Sequence, residues 1–157
     1  MKIELRIIGK TNYEFVDKGM EEFFNRVKKY ISFQIKLIPA LKKTKNLNSQ
    51  QIKEKEGKLI CDQIQKGDFL VLLDENGKEF NSVQFADFIE KRMNASTQKL
   101  VFQIGGAYGF SDEVYKKAQF KLSLSKMTFS HQLIRLIFAE QLYRAYSIIH
   151  RLPYHNP

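Results

Sequence analysis

Two short apolar runs constrain this chain more than any other feature: FLVLL at residues 69–73 and LVFQI at residues 100–104. Five residues without polar alternation leave no side for water, so each run reads as a strand covered on both faces. Strands of that kind belong to parallel sheets, whose crossover connections lay helices over both faces. The remaining sequence supplies the helices and the other strands. Residues 2–8 and 31–38 read as strands, the second alternating as Ile31, Phe33, Ile35, Leu37 and stopped by Pro39. Phe15, Met20, Phe23, Phe24 and Val27 recur at helical spacing over 14–30, and a polar helix capped by Asn48 or Ser49 is predicted to run to Gln65. Ser82 opens a helix with Val83, Phe85, Ala86, Ile89 and Met93 inward, and Ser111-Asp112-Glu113 opens a shorter one. Phe120, Leu122 and Leu124 alternate as a last strand. DENGK at 74–78 is read as a turn on its Asn-Gly pair. The fold class predicted is α/β, with a mostly parallel sheet and helices on both faces. No repeat or linker interrupts 1–157, which is taken as one domain.

Residues 131–151 form the last predicted helix. Its apolar side chains, among them Leu133, Ile134, Leu136, Ile137, Phe138, Leu142, Tyr143, Tyr146 and Ile149, leave only the narrow polar line of Glu140, Arg144, Ser147 and Arg151. A helix apolar nearly all round must be buried nearly all round. A second copy of the chain would cover what one sheet face does not; the alternative is a helix wrapped by its own loops.

Lys and Arg number 26 against 17 Asp and Glu, a formal charge of +9. That surplus favours a polyanionic partner such as nucleic acid, or else serves only as a solubilising surface. The single cysteine, Cys61, excludes an internal disulfide. The amino-terminal MKIELRIIGK alternates charged and apolar residues as a strand does and lacks a signal-peptide core, so a cytoplasmic protein without membrane attachment is expected. The three histidines, His131, His150 and His155, show no metal-ligand spacing, and no metal is expected.

Three segments could hold chemistry. The glycine loop QIGGAYG at 103–109 follows a strand and precedes a helix, where missing side chains let a ligand approach the backbone. SLSKMTFSHQLIR at 123–135 is a strand end, a hydroxyl-rich loop and a helix start. In open α/β sheets ligands bind beyond the carboxyl ends of strands, and three such ends occur at Leu73, Gly105 and Leu124. Ser125, Thr128 and Ser130 suit helix capping equally well, and His131 suits a surface position. The third segment is the tail. Its Pro153-Tyr154-His155 either frays or, when ordered, places two groups able to position or deprotonate a substrate.

EKEG at 54–57, LLDENGK at 72–78, IGGAYG at 104–109, the long block LSLSKMTFSHQLIRLIFAEQLYRAY at 122–146 and PYH at 153–155 together resemble the RlmH family. These are large-subunit ribosomal RNA methyltransferases of the SPOUT, or α/β-knot, class. The resemblance spans essentially the whole chain. It implies a carboxyl-terminal trefoil knot, which chain physics alone argues against. It also implies a homodimer and methyl transfer from S-adenosylmethionine to N3 of a pseudouridine in 23S ribosomal RNA within the assembled ribosome. Carried over by position, the cofactor-binding residues are Leu73, Gly105, Leu124, Ser125, Lys126, Met127, Thr128 and Phe129. Arg144, Tyr154 and His155 match residues serving activity or RNA engagement. Ser130 stands where many family members have proline, which changes loop stiffness more than chemistry. Lys42, Lys43 and Lys45, with Arg144, are expected to hold phosphates. The competing readings are an RNA-binding module without catalysis on the same fold and, from the glycine loop alone, a flavodoxin-like nucleotide enzyme.

Overall fold

Sheet strands and helices alternate along the computed structural model, which describes residues 1–156; Pro157 lies outside them. The strands are β1 (Lys2–Ile8), β2 (Ser32–Ile38), β3 (Asp68–Glu79), β4 (Lys99–Ile104) and β5 (Phe120–Ser123). The helices are α1 (Glu14–Val27), α2 (Ser49–Cys61), α3 (Ser82–Asn94), α4 (Asp112–Lys117) and α5 (Leu133–Ile149). All four strand pairings are parallel, in the order β2-β1-β4-β3-β5.

Period-two alternation divides the core into two layers. Ile3, Leu5, Ile7, Val71, Leu100 and Phe102 meet α1, α3 and α5 on one face. Leu70, Leu72 and Val101 meet Ile60 and Cys61 of α2 and Val114 of α4 on the other. The two apolar runs are therefore the middle of the sandwich, and Leu70–Leu72 and Leu100–Phe102 have no exposed surface. Asn48 and Asn81 start their helices with reciprocal capping boxes. Asn48 Oδ1 accepts the Gln51 N–H at 2.8 Å, and Asn81 Oδ1 accepts that of Gln84 at 2.8 Å.

Several local readings need correction. The Asn-Gly pair does not close a turn: β3 continues through 74–78, with a register break between Leu73 and Lys78 in its pairing with β5. Gly77 is needed there for space. A Cβ would stand 2.7 Å from the Lys121 carbonyl carbon and 2.8 Å from Leu122 backbone atoms, so backbone pairing overrides the local turn preference. Helix α2 stops at Cys61, short of Gln65, and the left-handed Gly67 (φ +90°) turns the chain into β3. Helix α1 stops at Val27 and α5 begins at Leu133. Phe15 and Val83 point outward, and Ile35 and Leu37 of edge strand β2 are exposed. Helix α5 packs chiefly on α1 and α3, burying Phe138, Ala139, Leu142, Ala145 and Tyr146, while Leu133 is exposed and Ile134, Leu136 and Tyr143 are half-buried. Arg135, itself buried, ties its first turn to the end of β1, donating to Ile8 O at 2.8 Å, Gly9 O at 3.1 Å and Thr11 Oγ1 at 3.0 Å. No helix among the described residues is long and apolar enough to cross a membrane.

Candidate active site

Strands β4, β3 and β5 are neighbours, so Leu73, Gly105 and Leu124 come together at the carboxyl ends of adjacent strands. They open onto a cavity of about 440 Å³, a size suited to a cofactor-sized ligand. Apolar walls come from Leu73, Leu122, Leu124, Phe129 and Ile134, and the glycine loop 105–109 forms another wall. A Cβ on Gly105 would stand 3.3 Å from the Phe110 ring. Gly109 has φ +78°, a conformation that side chains resist.

Of the eight residues proposed to hold a cofactor, Leu73, Gly105, Leu124, Ser125, Met127, Thr128 and Phe129 line this cavity. Lys126 does not; it points outward, 3.9 Å from Glu79. The loop they occupy is braced from within. Ser123 Oγ donates to Ser125 O at 2.9 Å, Ser125 Oγ accepts the Met127 N–H at 3.0 Å, and the Thr128 hydroxyl donates to Glu75. Ser130 Oγ accepts the Leu133 N–H at 3.1 Å, so its hydroxyl contributes a helix-start hydrogen bond.

Sequence reading left out several lining residues: Lys53 from α2, Asp74 and Glu75 from the β3 excursion, and Asp112 and Tyr115 of α4; His131, read as suiting a surface position, also lines the cavity. Asp74 and Glu75 directly follow Leu73, which is a signal of sorts. Lys53 and Tyr115 reach the cavity only through tertiary packing. The Tyr115 hydroxyl donates to Asp74, while Asp74 Oδ1 accepts the Asn76 N–H at 2.8 Å. Burial first, and Asp74 second, push the Tyr115 phenol well above its ordinary range, so it stays protonated. Burial, with Arg135 adding to it, lowers the His131 pKa and favours the neutral imidazole. Among the described residues no cluster of three or more His, Cys, Asp or Glu is placed to hold a metal ion.

Arg144, Tyr154 and His155 form a second group. Arg144 Nη2 pairs with Glu140 Oε1 at 2.5 Å, and its guanidinium carbon sits 4.8 Å from the Tyr154 ring centroid. Tyr154 Oη donates to Glu140 Oε1 at 3.1 Å, and its ring meets Tyr143 edge-on at 4.7 Å. The tail is thus anchored through Tyr154. Burial, reinforced by Glu140, raises the Tyr154 phenol. None of the three lines the cavity of its own chain. Ile134 does, and Arg144 lies ten residues further along α5, about 15 Å at 1.5 Å per residue.

A wholly parallel sheet with a glycine-walled cavity beyond three adjacent strand ends defines an α/β protein that binds a ligand at its strand termini. The family model described as "Predicted SPOUT methyltransferase" matches residues 1–155, and the chain belongs to that family. Its relatives include proteins named "Ribosomal RNA large subunit methyltransferase H". Those of Christiangramia forsetii and Parabacteroides distasonis are each 54% identical over 156 residues, covering 99% of both chains. That of Flavobacterium johnsoniae is 50% identical over the same length and coverage.

Proposed function

We propose that this chain, one SPOUT domain over 1–157, is a cytoplasmic methyltransferase that acts on large-subunit ribosomal RNA and methylates N3 of a pseudouridine in the assembled particle. Support comes from whole-length kinship with the H-type methyltransferases, from the +9 charge, and above all from the cavity that joins Leu73, Gly105 and Leu124. S-adenosylmethionine is the methyl donor in this reading. Its fit rests on a glycine wall open to a flat ring, on apolar sides, and on Asp74, Glu75 and Asp112, whose carboxylates suit a cationic ligand. Bound there, it would supply an electrophilic methyl group.

The protein's own contribution is alignment and handling of the N3 proton. Alignment of the reacting atoms can lower the barrier by about 7–11 kcal/mol. Leu73, Gly105 and the 124–129 loop would fix the donor side. Arg144 and the loop lysines Lys42, Lys43 and Lys45 would hold RNA phosphates, contacts that position without reading sequence. Tyr154, whose phenol is held protonated and donates to Glu140, serves as a hydrogen-bond donor. His155 is then the group left to accept the N3 proton.

The separation of about 15 Å along α5 supports a reading in which these roles fall to two subunits. A homodimer packed through the incompletely covered side of α5 would bring one tail to the other cavity. The knot expected for the family belongs to the same reading: the segment after β5 passes through a loop before α5 begins.

Isotope-labelled methyl transfer to purified large-subunit particles and intact ribosomes, followed by nuclease mapping and mass spectrometry, tests the activity. The label is expected in one pseudouridine of 23S RNA. Label in no RNA fragment, despite cofactor binding, would leave an RNA-binding module instead.

A further inference from the structure

Glu56 is buried on α2, yet it has no ion pair among the described residues, and its Oε2 has neither hydrogen-bond partner nor solvent. Its position explains why a glycine stands at 106: a Cβ there would overlap the Glu56 carboxylate, with the carboxyl carbon 2.7 Å away. The next residue repeats the pattern. A Cβ on Gly57 would overlap Ser111, whose buried Oγ is also without a partner among the described residues. Consecutive residues of α2 therefore support both ends of the 106–111 segment, each through a polar group left unpaired. One turn earlier on the same helix, Lys53 lines the cavity. Among the described residues the turn above has little backbone hydrogen bonding of its own, one bond from Gly109 N–H to Gly106 O at 3.2 Å.

Buried polar groups almost always have partners, and an orphan signals stored strain or a partner gained in another state. Two orphans, Glu56 beneath one end of the ligand-facing turn and Ser111 at the other, favour the second explanation. The apolar environment raises the Glu56 pKa and favours its neutral acid, which both donates and accepts hydrogen bonds. We infer that Glu56 is a positioning residue for the cofactor, its carboxyl hydrogen-bonding to the backbone of the Gly105–Gly109 turn when a ligand settles that turn in the cavity. The inference rests on the cofactor reading above and deepens it: Glu56 touches the turn, and the turn touches the ligand.

An unpaired carboxyl contributes nothing to the stability of the free protein, whereas a packing residue does. The two roles therefore separate in an experiment on the full chain. S-adenosylmethionine is titrated by calorimetry into wild type, Glu56→Gln and Glu56→Met, and each protein is melted without ligand. The wild type is expected to bind. Glu56→Gln, which keeps a donor and an acceptor, is expected to stay within about threefold of the wild-type Kd. Glu56→Met is expected to bind at least about tenfold more weakly while melting at or above the wild-type temperature. Wild-type affinity in Glu56→Met would overturn the inference. So would weakened binding accompanied by a lower melting temperature, which would make Glu56 a packing residue, or equal losses in the Gln and Met variants. Failure of the wild type itself to bind would remove the cofactor reading and this inference with it.

Discussion

Replacing His155 with Ala is expected to lower methyl-transfer turnover by about 10²–10⁴-fold, the usual worth of a positioned general base, with little change in cofactor affinity. The imidazole Nδ1 is buried without a partner among the described residues, while the neighbouring phenol is already committed to Glu140 at 3.1 Å. Tyr154→Phe should therefore cost less, about tenfold, because it removes a donor and not the proton acceptor. The two-subunit arrangement adds a sharper outcome. Mixed dimers of His155→Ala and Gly105→Val chains combine an intact cavity from one subunit with an intact tail from the other. Random mixing of two inactive proteins is then expected to restore about a quarter of wild-type activity, since half the dimers are mixed and each has one complete site. No recovery after subunit exchange would put tail and cavity to work within a single chain.

Arg6→Met is expected to destabilise the fold by about 3–5 kcal/mol at neutral pH. For a chain of this length that corresponds to a melting temperature roughly 10 °C lower. Arg6 is wholly buried on β1, paired with Glu4 and, at 2.9 Å, with Asp68; Lys99 also reaches Asp68 at 2.9 Å. Removing the guanidinium leaves the buried Glu4 without a cationic partner and Asp68 with Lys99 alone. Burial alone would raise both carboxylates. Arg6, with Gln34 and Lys99, outweighs it at Glu4, and Lys99 with Gln65 N–H and Arg6 outweighs it at Asp68, so both are held below their ordinary values. Carboxylates depressed in the folded state contribute stability above their unfolded pKa values, 4.5 and 3.8, and that contribution is lost as pH falls through the lower folded values. The wild type should thus lose stability on acidification below about pH 4.5. The gap to Arg6→Met should narrow over the same range, because protonated acids no longer need the guanidinium. Thermal melts of both proteins from pH 7 to pH 3 check this; a constant gap would show that the cluster does not titrate as described.

The sequence disclosed the sheet's middle and the ends that face the cavity, because runs as apolar as 69–73 and 100–104, with Gln103 their one polar member, leave no face for water. It did not disclose what lies across the sheet. MKIELRI alternates as a strand should, and alternation ordinarily sends charges to water; here Glu4 and Arg6 lie on the α2/α4 side and are buried, neutralising one another. Asn76-Gly77 has the chemistry of a turn, yet pairing with β5 at Lys78–Leu122 holds the segment in the strand. Lys53 and Glu56 approach the glycine turn from α2, distant in sequence, and Tyr115 from the helix after the turn; no local pattern marks them. EKEG was visible only as part of a resemblance; its reason, an acid beneath Gly106 and a glycine beneath Ser111, is tertiary. The tail read as either frayed or functional, and the contacts of Tyr154 with Glu140, Tyr143 and Arg144 supply its anchor.

The most direct test of the cofactor site is a titration of isotope-labelled protein with S-adenosylmethionine, followed amide by amide by nuclear magnetic resonance. The largest shifts are expected at Leu73–Asn76, Gly105–Gly109 and Leu124–Phe129, the segments that surround the 440 Å³ cavity. Shifts confined to other surfaces, or none at millimolar ligand, would contradict the account.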